Sequence, residues 1–183
     1  MKAKISLLVC AFFFSQLALA QSDNLPMLGQ GTKELALSGN IEIPEFEDID
    51  FDIDMSYGYF LRDGWEIGIR AIGADVAGVE RFSFSGFTEY NFNRNSNTVP
   101  YIGASVGLTD VDFSNLNFDS TLKPNDDKTT DFALQAGVKW FVRPYMAITT
   151  SIGFTVSSED IYLADNSFHD SLTRFHIGLR YYF

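Results

Sequence analysis

Three groups of residues have the types and spacing to do chemistry. His169-Asp170-Ser171 sets an imidazole two positions before a hydroxyl, an order a nucleophilic hydrolase can use when a third group orients the base. No Glu or second Asp follows Ser171, so the segment reads as an exposed loop histidine. Asp48, Asp50, Asp52 and Asp54 alternate with apolar residues and suggest calcium, yet they lack the glycine and terminal glutamate of an EF-hand loop. The third group is larger: Glu34, Glu42, Asp52, Asp54, Glu66, Arg70, Glu89, Lys139, Arg174, His176 and Arg180 all fall at alternate positions of otherwise apolar segments. Charges of both signs on one enclosed face must pair, because an unpaired buried charge is costly. His176, between Arg174 and Arg180, reads as a hydrogen-bonding filler. No residue is assigned to catalysis, to a cofactor or to a metal.

The elements that position these residues follow a two-residue period from end to end. Residues 34–43 place Leu35, Leu37, Gly39, Ile41 and Ile43 on one face and Glu34, Ala36, Ser38, Asn40 and Glu42 on the other. Residues 51–61, 65–72, 81–92, 101–111, 132–142, 145–156 and 171–183 repeat the pattern, with Phe87 as an apparent break in the fourth. Eight segments of about ten residues have the length a tilted strand needs to cross hydrocarbon. Asp63-Gly64 supplies a tight hairpin turn after the second.

A water-soluble barrel of eight strands would turn its apolar face inward, so the smaller residues decide between the two. Gly58, Gly68, Gly103, Gly107, Gly137, Gly153 and Gly178 lie on the charged face, as a crowded interior requires. On the apolar face Tyr59, Trp65, Tyr90, Phe92, Trp140, Tyr181 and Phe183 gather at the short-turn end, as an interfacial girdle would, and Phe51, Phe82, Phe113 and Phe175 at the other. The expected fold is therefore an all-β, eight-stranded, antiparallel up-and-down transmembrane β-barrel. Connectors 62–64, 93–98 and 143–144 are short, 113–129 and 157–170 are long, and 44–50 and 73–79 are brief. Short turns would lie on the inner side and long loops outside. The long loops and 44–50 are acidic, through Glu45, Glu47, Asp48, Asp50, Asp119, Asp126, Asp127, Glu159, Asp160, Asp165 and Asp170.

Lys2 and Lys4, the apolar run from Ile5 to Phe14 and Leu17-Ala18-Leu19-Ala20 have the order of a secretory signal, with cleavage expected after Ala20 and one barrel domain over 21–183. Cys10, the single cysteine, lies within that signal, so no disulfide or thiol chemistry is expected. Losing Lys2 and Lys4 leaves 11 of the 13 basic residues against 24 acidic ones, a formal charge of −13 that disfavours nucleic acid as a partner.

The ending Phe175-His176-Ile177-Gly178-Leu179-Arg180-Tyr181-Tyr182-Phe183, taken with the strand count, resembles the OmpA/OmpX-type outer-membrane β-barrel family over the whole mature chain. That resemblance implies a Gram-negative outer-membrane location and an assembly signal at Phe175, Ile177, Leu179, Tyr181 and Phe183, read by the barrel-assembly machinery. It also implies that lumen charge pairs can gate small ions, although a purely structural pairing is the simpler reading. The peptidoglycan-binding domain that follows such barrels in longer members is not expected here. Eight-stranded lipid A deacylases share the His-x-Ser spacing of His169 and Ser171, but the lack of an acidic partner argues against hydrolysis. The expected partners are outer-membrane lipids and lipopolysaccharide, and the chain is expected to be a monomer. N-terminal sequencing of the membrane-inserted protein should begin at Gln21; a start at Met1 would rule out the cleavable signal.

Overall fold

The computed structural model describes residues 25–42, 50–76, 79–112, 128–164 and 167–183. Residues 1–24 with the signal segment, 43–49, 77–78, 113–127 and 165–166, and the side chains of Asn40, Ile41, Glu42, Asp50, Phe51, Val76, Val79, Leu163, Ala164, Ser167 and Phe168, lie outside the described residues.

Among the described residues ten strands form, and eight of them close a barrel: β1 (Lys33–Glu42), β2 (Asp50–Arg62), β3 (Trp65–Val76), β4 (Val79–Asn91), β5 (Thr98–Asp112), β6 (Lys128–Arg143), β7 (Met146–Ser157) and β10 (Ser171–Tyr182). Each pairs antiparallel with its sequence neighbours, and β1 closes the ring on β10 through Leu35 opposite Tyr181 and Leu37 opposite Leu179. A closed ring leaves no free strand edge, the one sheet arrangement that satisfies every backbone donor and acceptor in hydrocarbon.

The alternation read from the sequence sets the two faces. Leu37, Met55, Ile69, Phe84, Val106, Leu134, Ile152 and Leu179 point outward and are about half exposed. Glu34, Asp52, Asp54, Glu66, Glu89, Lys139 and Arg180 point inward and are buried. Tyr59, Trp65, Tyr90, Phe92, Tyr145, Tyr181 and Phe183 are exposed around the short-turn end, with Tyr145 edge-on to Tyr181 and Tyr90 edge-on to Phe92. Phe82 and Phe175 are exposed at the other end.

Several expectations need correction. Phe87 does not break β4: it shares the inward phase of Glu89 and Ser85, lies opposite Gly68 and packs under the Arg70 guanidinium at 5.2 Å. The strands run further outward than the periodicity suggested, because β3 continues to Val76 and β4 begins at Val79, leaving only 77–78 of the connector placed at 73–79. The stretch 157–170 is not all loop either, since β8 (Tyr162–Ala164) and β9 (Ser167–His169) form a small hairpin over the outer mouth.

Both ends of the lumen are filled. Before β1, residues 25–32 fold under the short-turn end, held by Met27 N–H donating to Pro144 O (2.9 Å) and Gly31 N–H to Phe60 O (2.9 Å). This seats Leu28 in a buried cluster with Phe60, Val99, Phe141, Ala147 and Tyr182. Asp63 Oδ1 accepts from Gln30 N–H (2.9 Å) and Asp63 faces Arg94 (3.2 Å). The amide first, and then the guanidinium, hold the Asp63 carboxyl below the usual carboxylate range. Gly64 closes the β2–β3 turn at φ +74°, where a side chain would be strained and its Cβ would meet Asn91 O at 2.9 Å. At the outer end Ile161 and Tyr162 of the hairpin pack on Val111 and Leu172.

The interior spares little room for larger residues. A Cβ on Gly68 would lie 2.6 Å from Phe87 Cζ. Gly68→Val should therefore lower the unfolding free energy by about 1–3 kcal/mol, measured as a reduced urea midpoint for loss of the fast-migrating folded form on gels.

Candidate functional site

The candidate site is the lumen charge network, and alternation alone brings its members together: each is an inward position on a different strand. Glu34 comes from β1, Glu66 from β3, Glu89 from β4, Lys139 from β6 and Arg180 from β10. All five are buried, Glu34, Glu66 and Lys139 with no exposed area at all. Lys139 Nζ sits among the three carboxylates, 3.1 Å from Glu34 Oε2, 3.8 Å from Glu66 Oε2 and in direct contact with Glu89. Arg180 Nη1 bridges Glu34 (2.6 Å) and Glu89 (3.1 Å), and its Nη2 donates to the Tyr101 hydroxyl at 3.2 Å. The Tyr101 ring lies 4.9 Å from the Arg180 guanidinium and 5.1 Å from Lys139 Nζ, so its face stabilises both cations.

Toward the outer end, Gln135 carries the network on. It donates to Tyr101 Oη (3.2 Å) and Ser151 Oγ (2.7 Å) and accepts from Arg70 Nη2 at 3.1 Å. Arg70 also pairs with Asp54 at 3.4 Å. Beyond them lies a cavity of about 70 Å3, lined by Asp54, Arg70, Arg81, Asp131, Arg174 and His176 among others, with space for a few waters. Arg174 binds Asp52 directly. Arg81 stacks on the Tyr162 ring at 5.1 Å, and the Tyr162 hydroxyl donates to Asp131 at 3.4 Å.

Of the residues singled out from sequence, Glu34, Glu66, Glu89, Lys139 and Arg180 form one cluster, Arg70 with Asp54 joins it through Gln135 and Tyr101, and Asp52 with Arg174 pairs nearer the outer mouth. His176 lines the cavity on the lumen face. Sequence reasoning missed Tyr101, Gln135, Arg81 and Asp131. Their signal was available, since each holds an inward phase on its strand: Tyr101 and Gln135 carry no charge, Asp131 lies outside the span 132–142, and Arg81, at the very start of the span 81–92, was passed over although it is charged. His169 and Asp170 are exposed, and Ser171 opens β10 opposite Val156.

The three glutamate carboxylates have oxygens within 4.8 Å of one another, a spacing that suits a metal ion, but the ammonium of Lys139 contacts all three. The arrangement holds opposite charges together in a buried layer, with the Lys139 ammonium where an ion would sit between the carboxylates.

No protein-family model matches the sequence, and no curated protein matches it. Among solved structures the chain is similar to the N-terminal β-barrel domain of Pseudomonas aeruginosa OprF, with a TM-score of 0.62 and 18% identity over 85% of this chain and 99% of that one. Neisserial surface protein A gives 0.55 and 14%, covering 82% and 94%, and the outer membrane protein OprG from Pseudomonas aeruginosa gives 0.55 and 12%, covering 88% and 99%. These likenesses show the fold: a small, closed, eight-stranded barrel of the outer-membrane kind.

Removing one cation leaves its carboxylates uncompensated. Lys139→Met should cost about 3–5 kcal/mol of folding stability, and adding Glu89→Gln should recover part of it, a coupling that a double-mutant cycle in urea measures.

Proposed function

We propose that this protein is an integral barrel of a Gram-negative outer membrane with a structural or surface-interaction role and a sealed lumen. The observation that carries the reading is that side chains fill the lumen in successive layers. The apolar layer around Leu28 closes the short-turn end, the Lys139–Arg180 cluster fills the middle, and Ile161 and Tyr162 cover the outer mouth. An eight-stranded barrel is only wide enough for its own side chains, which suits a scaffold better than a conduit.

The outward belt supports the membrane setting. Phe175, Ile177, Leu179, Tyr181 and Phe183 form an exposed apolar row on the last strand, which suits both contact with lipid and recognition by the barrel-assembly machinery. The surrounding partners would be outer-membrane lipids and lipopolysaccharide. A ring without strand edges has no need of a second copy, so we read the chain as a monomer. We read it also as non-enzymatic, since the lumen carboxylates Glu34, Glu89, Asp52 and Asp54 are each engaged by a cation.

A second reading, a narrow ion channel gated by these pairs, is favoured by one observation: the polar cavity beyond Arg70 shows that water has room in part of the lumen. Planar-bilayer recording separates the two. The purified barrel should stay closed, and a large, stable conductance would overturn the sealed reading. Discrete openings that grow more frequent in Arg180→Gln would favour the gated channel.

A further inference from the structure

The central cluster contains three carboxylates and two cations. Glu34 and Glu89 take up both cations, since Arg180 contacts each of them and Lys139 does the same. Glu66 has only Lys139 Nζ at 3.8 Å, beyond hydrogen-bond reach, and both of its carboxyl oxygens are buried without a hydrogen-bond partner. The groups facing this layer come from every strand around it. β1 brings Glu34, β4 Glu89, β5 Tyr101, β6 Lys139, and β10 Arg180 and Tyr182, whereas β2 brings Gly58 and Phe60 and β7 Ala147 and Thr149, none of them charged. The next cation outward, Arg70, is committed to Asp54 and Gln135.

Space around Glu66 is as restricted as charge. A Cβ on Gly58 would overlap the Glu66 carboxyl, and the lumen cavity is lined by Asp54 and Arg70 but not by Glu66. An ionised Glu66 would be an uncompensated charge in a fully buried layer, the arrangement that costs most in a protein interior.

We propose that the missing positive charge is a proton: Glu66 is a proton-binding site and stands in the folded barrel as the neutral carboxylic acid. The proton comes from solvent during folding, because an unfolded glutamate is ionised at neutral pH. One O–H bond forms on Glu66 as one breaks in the hydronium ion that delivers the proton, leaving water behind, and the cluster reaches a formal charge of zero. The inference deepens the sealed-lumen reading and rests on it for the exclusion of water.

Infrared difference spectroscopy of the full-length mature barrel in lipid at neutral pH tests it, with folding verified by heat-dependent gel migration. The folded protein should show the carbonyl stretch of an un-ionised acid, shifted when water is exchanged for D2O. The band should vanish in E66Q. It should vanish in E34Q as well, because two carboxylates then meet two cations and Glu66 can ionise. A folded wild type without the band, or a band unchanged in both variants, overturns the proposal. Should neither variant fold, the presence or absence of the wild-type band decides. Bilayer conductance of the same preparation keeps the two readings apart. A conducting barrel with the band loses the seal and retains the proton, whereas a closed barrel without the band retains the seal and loses the proton.

Discussion

Hydrocarbon offers no hydrogen-bond partner, so a chain crossing it with strands must close them on themselves. The rest of this molecule depends on that requirement. Pairing β1 with β10 satisfies the last open edge, fixes an inside and an outside for every residue, and makes one side-chain step along a strand the difference between lipid and lumen. The crossings are then apolar on one face only, and whatever polarity the chain carries there is confined to a space a few side chains wide.

Confinement turns the lumen into a problem of balance. Small residues make room for large ones: Gly68 lies opposite Phe87, and Gly58 backs the Glu66 carboxyl. Charges are matched across the barrel by residues far apart in sequence, Glu34 with Lys139 and with Arg180. Tyr101 and Gln135 occupy the positions between them, so the network continues without a gap from the central cluster to Arg70. Replacing such pairs with apolar residues often costs a protein nothing in stability. Here their geometric effect is plain, because branched charged groups of opposite sign fill an irregular volume and hold specific strands at a common depth.

The fold was legible because a barrel is written in a period of two. Leu35, Leu37, Leu179 and Tyr181 announced their outward face, and Glu34 and Arg180 their inward one, without reference to any partner. Phe87 shows the limit of sorting by polarity, since its phase was right and only its apolar character suggested a break. Which charge meets which was not legible, because that depends on the stagger between strands, and the bulges of β2 near Phe60 and of β6 near Phe141 alter it locally. The outer hairpin and the segment 25–32 were missed for a related reason. Their backbones are held by contacts with the barrel rather than by a pattern of their own, as Leu28 shows: Leu25 and Met27 beside it are just as apolar and stay exposed, yet Leu28 is almost fully buried.

The seat beneath Leu28 belongs to both ends of the chain. Met27 bonds to Pro144, Lys33 exchanges two hydrogen bonds with Phe183, and the Leu28 cluster includes Tyr182. On the other side of the seam, Gly31 bonds to Phe60 and Gly64 to Leu28, with Phe60 in the same cluster. The inner stopper is thus a clasp laid across the closure: its full set of contacts exists only in the completed ring, where one buried leucine ties together the strands on either side of the join.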